Sequence, residues 1–152
     1  MTLQEKALDI AITQIGVQED AAHTNKGPQV SKYLASVGLN PGYSWCMAFV
    51  YWNFEQAAEA MGRLNPLYKT GGVLEQWRQR KDQYRVTTPQ PGDIMILDYG
   101  QGLGHTGIVE KVEAELIHTI EGNTNDDGSR DGYEVCRRTR SRTKVLGYLR
   151  FQ

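Results

Sequence analysis

The four residues Pro89-Gln90-Pro91-Gly92 divide the chain into two halves with different hydrophobic periods, and that division limits the fold more than any other feature. Before it, apolar residues recur at helical spacing. After it come short apolar runs separated by turn residues, the pattern of strands. Helices first and sheet second argues an α+β arrangement instead of the alternating units of a parallel α/β fold.

In the first half, Thr2-Leu3-Gln4-Glu5 fits a capping box, and Ala7, Ile10, Ala11 and Ile15 form a stripe ending near Gly16. Residues 17–27 read as a polar loop. Pro28 suits the first turn of a second helix, with Val30, Tyr33, Leu34 and Val37 on one side and Gly38 as its stop. Asn40-Pro41-Gly42 is a turn. Ser44 is expected to cap a third helix carrying Val50, Phe54, Ala57, Ala58 and Met61 on its apolar face and ending near Gly62. A short helix is expected at 73–80. In the second half, candidate strands lie at 93–98, 106–112, 116–121, 133–139 and 145–151, with Gly100–Gly104 a flexible connection and turn signals at Asn125–Gly128 and Asp131-Gly132. No internal repeat or linker interrupts the 152 residues, which are expected to form one domain.

Composition narrows the function. A net charge of −1 offers no basic footprint for nucleic acid, and no stretch has the length of a transmembrane span. The two cysteines, Cys46 and Cys136, do not make a disulfide framework. The beginning Met1–Lys6 lacks the basic region and apolar run of a signal peptide, so delivery to a target outside the cytoplasm is expected to use another route.

Cys46 falls in the first turn of the third helix, where unpaired N–H groups and the helix dipole favour a thiolate. A lone cysteine is more often a small core hydrophobe, and Cys136, inside a strand, is read that way. A nucleophile needs a base and a group to orient that base. Of three histidines, His23 lies in a polar loop and His118 shares a strand face with Leu116 and Ile120. His105 stands at a strand start among small residues, where glycines permit close approach. Glu121 and Asn123, where the next strand runs out, offer a carboxylate and a carboxamide as orienting groups, and the residues alone leave the choice open. Glu121 shares a face with Thr119 and Ile117, opposite His118, and so could point toward a packed helix. The basic run Arg137–Arg142 reads as a solvated hairpin end that could also meet an anionic polymer. No His/Cys cluster has zinc spacing, and Gly100–Gly104 is no phosphate loop.

These residues carry a resemblance. Trp45-Cys46-Met47-Ala48-Phe49-Val50, Pro-Gly-Asp-Ile at 91–94, Gly-His-Thr-Gly-Ile-Val-Glu at 104–110, Glu-Gly-Asn at 121–123 and Val145–Leu149 resemble, in that order, segments of the CHAP family. Those are the cysteine, histidine-dependent amidohydrolases/peptidases of the papain-like superfamily. The resemblance implies N-terminal helices packed on an antiparallel sheet of five to six strands. It implies Cys46 as nucleophile, His105 as base, Glu121 as orienting residue and Asn123 as support, with Tyr43 and Trp45 near the oxyanion. It implies a peptidoglycan hydrolase cutting an amide bond, either an N-acetylmuramoyl-L-alanine amidase or a cross-link endopeptidase. Phage endolysins and exported antibacterial effectors both have this character. Such a protein acts in the periplasm or wall, as a monomer, with a delivery or immunity protein as an accompanying partner. The rival is a non-catalytic wall-binding or phage structural module of the same fold. The acidic calcium-binding loop that certain relatives carry ahead of the cysteine is absent, so no metal or other cofactor is expected. Substrate choice is expected from loops 17–27, 62–72 and 122–132.

Overall fold

A computed structural model describes residues 1–124 and 132–152, which leaves the expected turn at Asn125–Gly128 outside the described residues. Four helices, α1 (Leu3–Thr13), α2 (Pro28–Ser36), α3 (Cys46–Ala60) and α4 (Val73–Tyr84), precede most of the sheet. Its strands are β1 (Arg85–Val86), β2 (Ile94–Gly100), β3 (Leu103–Val112), β4 (Leu116–Thr124), β5 (Glu134–Ser141) and β6 (Gly147–Leu149). They form one antiparallel sheet in the order β1-β6-β2-β3-β4-β5. This is the α+β, papain-like arrangement anticipated from the sequence. Among the described residues, no helix is long and apolar enough to cross a membrane.

The capping box at Thr2 and Glu5 is formed on both sides. Helix α3 is the centre of the helical layer. Ten of its fifteen residues are buried, Met47, Phe49, Val50 and Phe54 completely. A helix apolar nearly all round must be covered on several sides, and α1, α2, β3 and β4 cover it. Each such large side chain removed from water contributes about 1.5–3 kcal/mol. Met61, expected on the apolar face, is the C-cap and is exposed.

The two faces of the sheet carry different cores. Ile94, Ile96, Ile108 and Ile120 join the helices, whereas Met95, Leu97, Val109, Ile117 and Tyr148 cluster on the other face. A cavity of about 400 Å³ is lined both by Leu97–Tyr99 of β2 and by Arg140 and Ser141 of β5. Because β3 and β4 stand between those strands, the sheet must curl around its second face, as twisted sheets tend to do.

The Pro-Gly-Asp-Ile segment acts as a lock. Asp93 is fully buried, and Arg150 grips it at both oxygens, Nε to Oδ1 and Nη2 to Oδ2, each at 2.8 Å. Gln4 of α1 also reaches Asp93 Oδ1 at 3.2 Å, so both ends of the chain meet there.

Candidate active site

Helix α3 begins at Cys46, not at a residue capped by Ser44. The N-cap is Trp45, which makes no side-chain cap bond, and Ser44 is exposed. Long-range contacts replace the missing local cap. The Trp45 backbone N–H donates to Asn123 Oδ1 at 2.8 Å, and its indole Nε1–H donates to Glu19 Oε2 at 2.7 Å. Both Trp45 donors are therefore committed, which removes Trp45 from the expected oxyanion donors. Tyr43 is 55% exposed in the preceding turn. The Cys46 N–H, in the first turn, is among the groups a helix leaves without an intrahelical partner.

His105 is the third residue of β3, inside the strand and not at its start, because the β2–β3 connection is shorter than expected. It pairs in register with Leu97. By alternation His105, Gly107 and Val109 share a face of β3, and Ile117, Thr119 and Glu121 share the same face of β4. This is the face turned away from the helices. A Cβ on Gly122, on the opposite side, would meet Trp45 and Phe49, whereas one on Gly107 would lie 2.5 Å from Glu121 Cγ. The expectation that Glu121 points toward a packed helix is thus corrected. It lies over Gly107, a position open only because that residue has no side chain, and reaches His105.

His105 Nε2 and Glu121 Oε1 are 2.8 Å apart, and both residues are fully buried. Glu121 is held from two further directions. Arg140 of β5 donates Nη2 to Oε1 at 2.6 Å and Nε to Oε2 at 2.9 Å, and Thr119 donates Oγ1 to Oε2 at 2.6 Å. Burial favours the neutral acid, but Arg140 and His105 outweigh it and hold the carboxyl down at about 2. An ionised carboxylate only accepts hydrogen bonds, so Nε2 carries the ring proton and Nδ1 is left as the basic nitrogen.

Nδ1 has no hydrogen-bond partner of ordinary geometry among the described residues, yet Cys46 is near enough to act on the ring charge. Cys46 acts on the ring as a weak, poorly aligned hydrogen-bond partner, a looseness usual before substrate binds. Burial pushes the imidazole down, and the combined pull of Cys46 and Glu121 reverses this, raising it to about 9. Cys46 on one side and the Glu121 carboxylate on the other thus both favour the charged form of the ring. Neither of the two described cavities is lined by Cys46 or His105.

Asn123 makes no hydrogen bond to His105 among the described residues. It bonds Trp45 on one side, and its Nδ2 donates to Gly132 O on the other. His118 pairs with Glu113 at 2.9 Å in a half-exposed position, and His23 stacks on Tyr133 at 4.3 Å. Cys136 is buried. Three residues of the surroundings were not anticipated as site residues: Thr119, Glu19 and Arg140. The basic run closes no hairpin, because β5 and β6 lie at different places in the sheet. Arg137 pairs with Glu110 and Arg142 with the carbonyls of Glu113 and Ala114 in exposed positions, whereas Arg140 is drawn in to Glu121. Strand alternation puts Arg138 and Arg140 on one face, but only the pairing with β4 shows that this is the face of Glu121.

A cysteine at a helix start, with a histidine and a carboxylate on adjacent strands of an α+β fold, brings together groups that can serve as nucleophile, base and orienting residue. The CHAP domain family model matches residues 38–123, more than half of the chain and a span containing Cys46, His105, Glu121 and Asn123, and the chain belongs to that family. Among solved structures, Ly7917 is similar at 19% identity and TM-score 0.54, over 98% of this chain and 62% of that one. The wild-type endolysin LysIME-EF1 is similar at 18% identity and TM-score 0.54, over 99% of this chain and 65% of that one. Ly7917 with the hydrolyzing product of MDP gives 20% identity and TM-score 0.50, over 96% and 62%. This chain thus spans less than two thirds of each neighbour, and at such identity the likeness is one of fold. No curated protein matches it in sequence.

Proposed function

We propose that the protein hydrolyses an amide bond of peptidoglycan by cysteine catalysis. The observation that carries this reading is the buried His105–Glu121 pair at 2.8 Å, beside a cysteine at the first position of a central helix. Membership of the CHAP family supports it, as does a fold shared with an endolysin.

In this mechanism the Cys46 thiolate attacks the amide carbonyl, and the oxyanion is met by the Cys46 N–H at the helix start. His105, protonated at Nδ1, gives that proton to the leaving amine, and the C–N bond breaks to leave a thioester. His105 then takes a proton from water at Nδ1 as that water attacks the thioester, and the C–S bond breaks to release the carboxylic acid and restore the Cys46 thiolate beside the protonated ring. Glu121 holds the ring and stabilises its charged form without itself becoming protonated. Asn123 keeps the helix start in place through Trp45.

The test is digestion of purified sacculi followed by mass spectrometry. New amino groups on L-alanine, with intact glycan, identify an amidase. New amino groups within the cross-link identify an endopeptidase. Unchanged sacculi and no new amino groups with a folded protein would overturn the reading in favour of a binding module.

A further inference from the structure

Glu121 uses all the directions a carboxylate has for accepting hydrogen bonds. Oε1 receives His105 Nε2 and Arg140 Nη2, and Oε2 receives Arg140 Nε and Thr119 Oγ1, at 2.6–2.9 Å. The Arg140 fork matches the carboxylate at two points, which fixes its plane as well as its position. We propose that Arg140 is a positioning residue of the reaction: its two-point grip keeps Glu121 ionised and oriented, and so sets the His105 tautomer that presents a basic Nδ1 to Cys46. This rests on the reading of Cys46 and His105 given above.

The chemistry runs through one proton. A carboxyl buried without a cation tends to take up a proton. A protonated Glu121 would be a donor, His105 Nε2 would become its acceptor, and the ring proton would move to Nδ1. The base would then be missing from the side that faces the thiol. Arg140 prevents this by stabilising the charged carboxylate, the side chains being 14% and 0% exposed. The groups facing Glu121 are His105 from β3, Arg140, Arg138 and the in-register Cys136 from β5 and, beyond the ring, Cys46 from α3. Tyr99 of β2 faces Arg140, and Asp98 and Lys144 line the cavity beside it.

The molecule contains its own control. Arg150 makes the same two-point contact with the buried Asp93, away from His105. A purely structural ion pair at Arg140 should behave like that one.

The experiment compares Arg140→Ala, Arg140→Lys and Arg150→Ala. Glu121 is titrated by carboxyl ¹³C NMR in the resting protein, and pH–rate profiles are measured on sacculi. Arg140→Ala is expected to raise the Glu121 titration by more than a pH unit, to carry the acid limb of the profile up with it, and to slow the reaction about tenfold or more. Arg140→Lys keeps the charge without the fork, so the titration stays low while the rate falls to an intermediate value. Because the cavity beside Arg140 holds about 400 Å³, guanidinium ion well below denaturing concentration should restore part of the Arg140→Ala rate. Arg150→Ala should lower thermal stability and leave both titration and profile alone. If Arg140→Ala only lowers stability, with the Glu121 titration and the profile shape unchanged, the proposal is overturned. Should Arg140→Ala fail to fold, the same two readouts on Arg140→Lys and Arg140→Gln decide, Gln being expected to shift the titration and Lys not. The NMR titration needs no substrate, so a wild-type protein inert on sacculi would sink the function reading and leave this inference standing or falling on its own result.

Discussion

Asn123 accepts the backbone N–H of Trp45 at 2.8 Å, so a residue at the end of β4 fixes the residue directly before Cys46. Asn123 has φ 58°, a left-handed value that asparagine tolerates better than most residues. That conformation, with the register shift between Glu121 and Thr124, breaks the strand alternation. Two polar residues that a regular strand would aim the same way thus serve different partners, Glu121 the imidazole and Asn123 the helix start.

Asn123→Ala leaves the Trp45 N–H buried without an acceptor, an effect of about 1–3 kcal/mol. Activity is expected to fall with both limbs of the pH–rate profile in place, because the hydrogen bonds of Asn123 go to Trp45 and Gly132 and it carries no charge to act on the ring. A shifted alkaline limb would show instead that Asn123 acts on the ring charge.

Glu121→Gln preserves shape and removes the charge that holds the imidazolium. It also leaves Arg140 a buried cation without its carboxylate, which further disfavours a proton on His105. The alkaline limb should move to lower pH, and the rate should fall by about one or more orders of magnitude. An unchanged limb and rate in Glu121→Gln would remove Glu121 from the mechanism.

The same pair makes stability depend on pH. His105 is raised from 6.5 to about 9 in the folded chain, so its contribution is complete below 6.5 and is lost as pH rises through about 9. Glu121 is lowered from 4.5 to about 2, so its contribution is complete above 4.5 and is lost as pH falls through about 2. Thermal unfolding across pH should show this contribution as a plateau between 4.5 and 6.5, falling on both sides. Cys46→Ser should weaken the alkaline decline, since Cys46 helps raise His105. An alkaline decline identical in Cys46→Ser and wild type would place its cause elsewhere.

Gly107→Ala tests the packing beneath the carboxylate. The added methyl would lie 2.5 Å from Glu121 Cγ and 2.9 Å from Ile120 O, so the side chain must leave its place over the strand. Overpacking of this kind destabilises by about 1–3 kcal/mol. The expected outcome is a folded protein with little activity and a His105 titration shifted to lower pH by NMR. Full activity in this variant would contradict the arrangement.

The parts of the fold set by local chemistry were legible in the sequence: the capping box at Thr2, Pro28 at the start of α2, Gly38 past its end, and the change of period at Pro89–Gly92. Cys46 and His105 could be singled out by elimination, because only three histidines were available and two had ordinary explanations, and the structure sets the two near enough for Cys46 to act on the ring charge. What could not be read depends on partners distant in the chain. The start of α3 is set by Asn123 across 78 residues and not by Ser44. The face on which Glu121 lies follows from strand pairing and curl, which periodicity alone does not contain. Arg140 is one arginine among several until β5 is placed beside β4. Gly107 and Gly122 are visible in the motifs, yet their reason, space for Glu121 on one side and for Trp45 and Phe49 on the other, appears only once the layers are packed.

The central claim is that Cys46 is the nucleophile, and release of new amino groups from purified sacculi by wild type and Cys46→Ser tests it most directly. A hydroxyl is a far weaker nucleophile than a thiolate, so the account predicts no turnover by Cys46→Ser, with unfolding temperature near wild type, while Cys136→Ser stays active. Digestion by Cys46→Ser at close to the wild-type rate would contradict it.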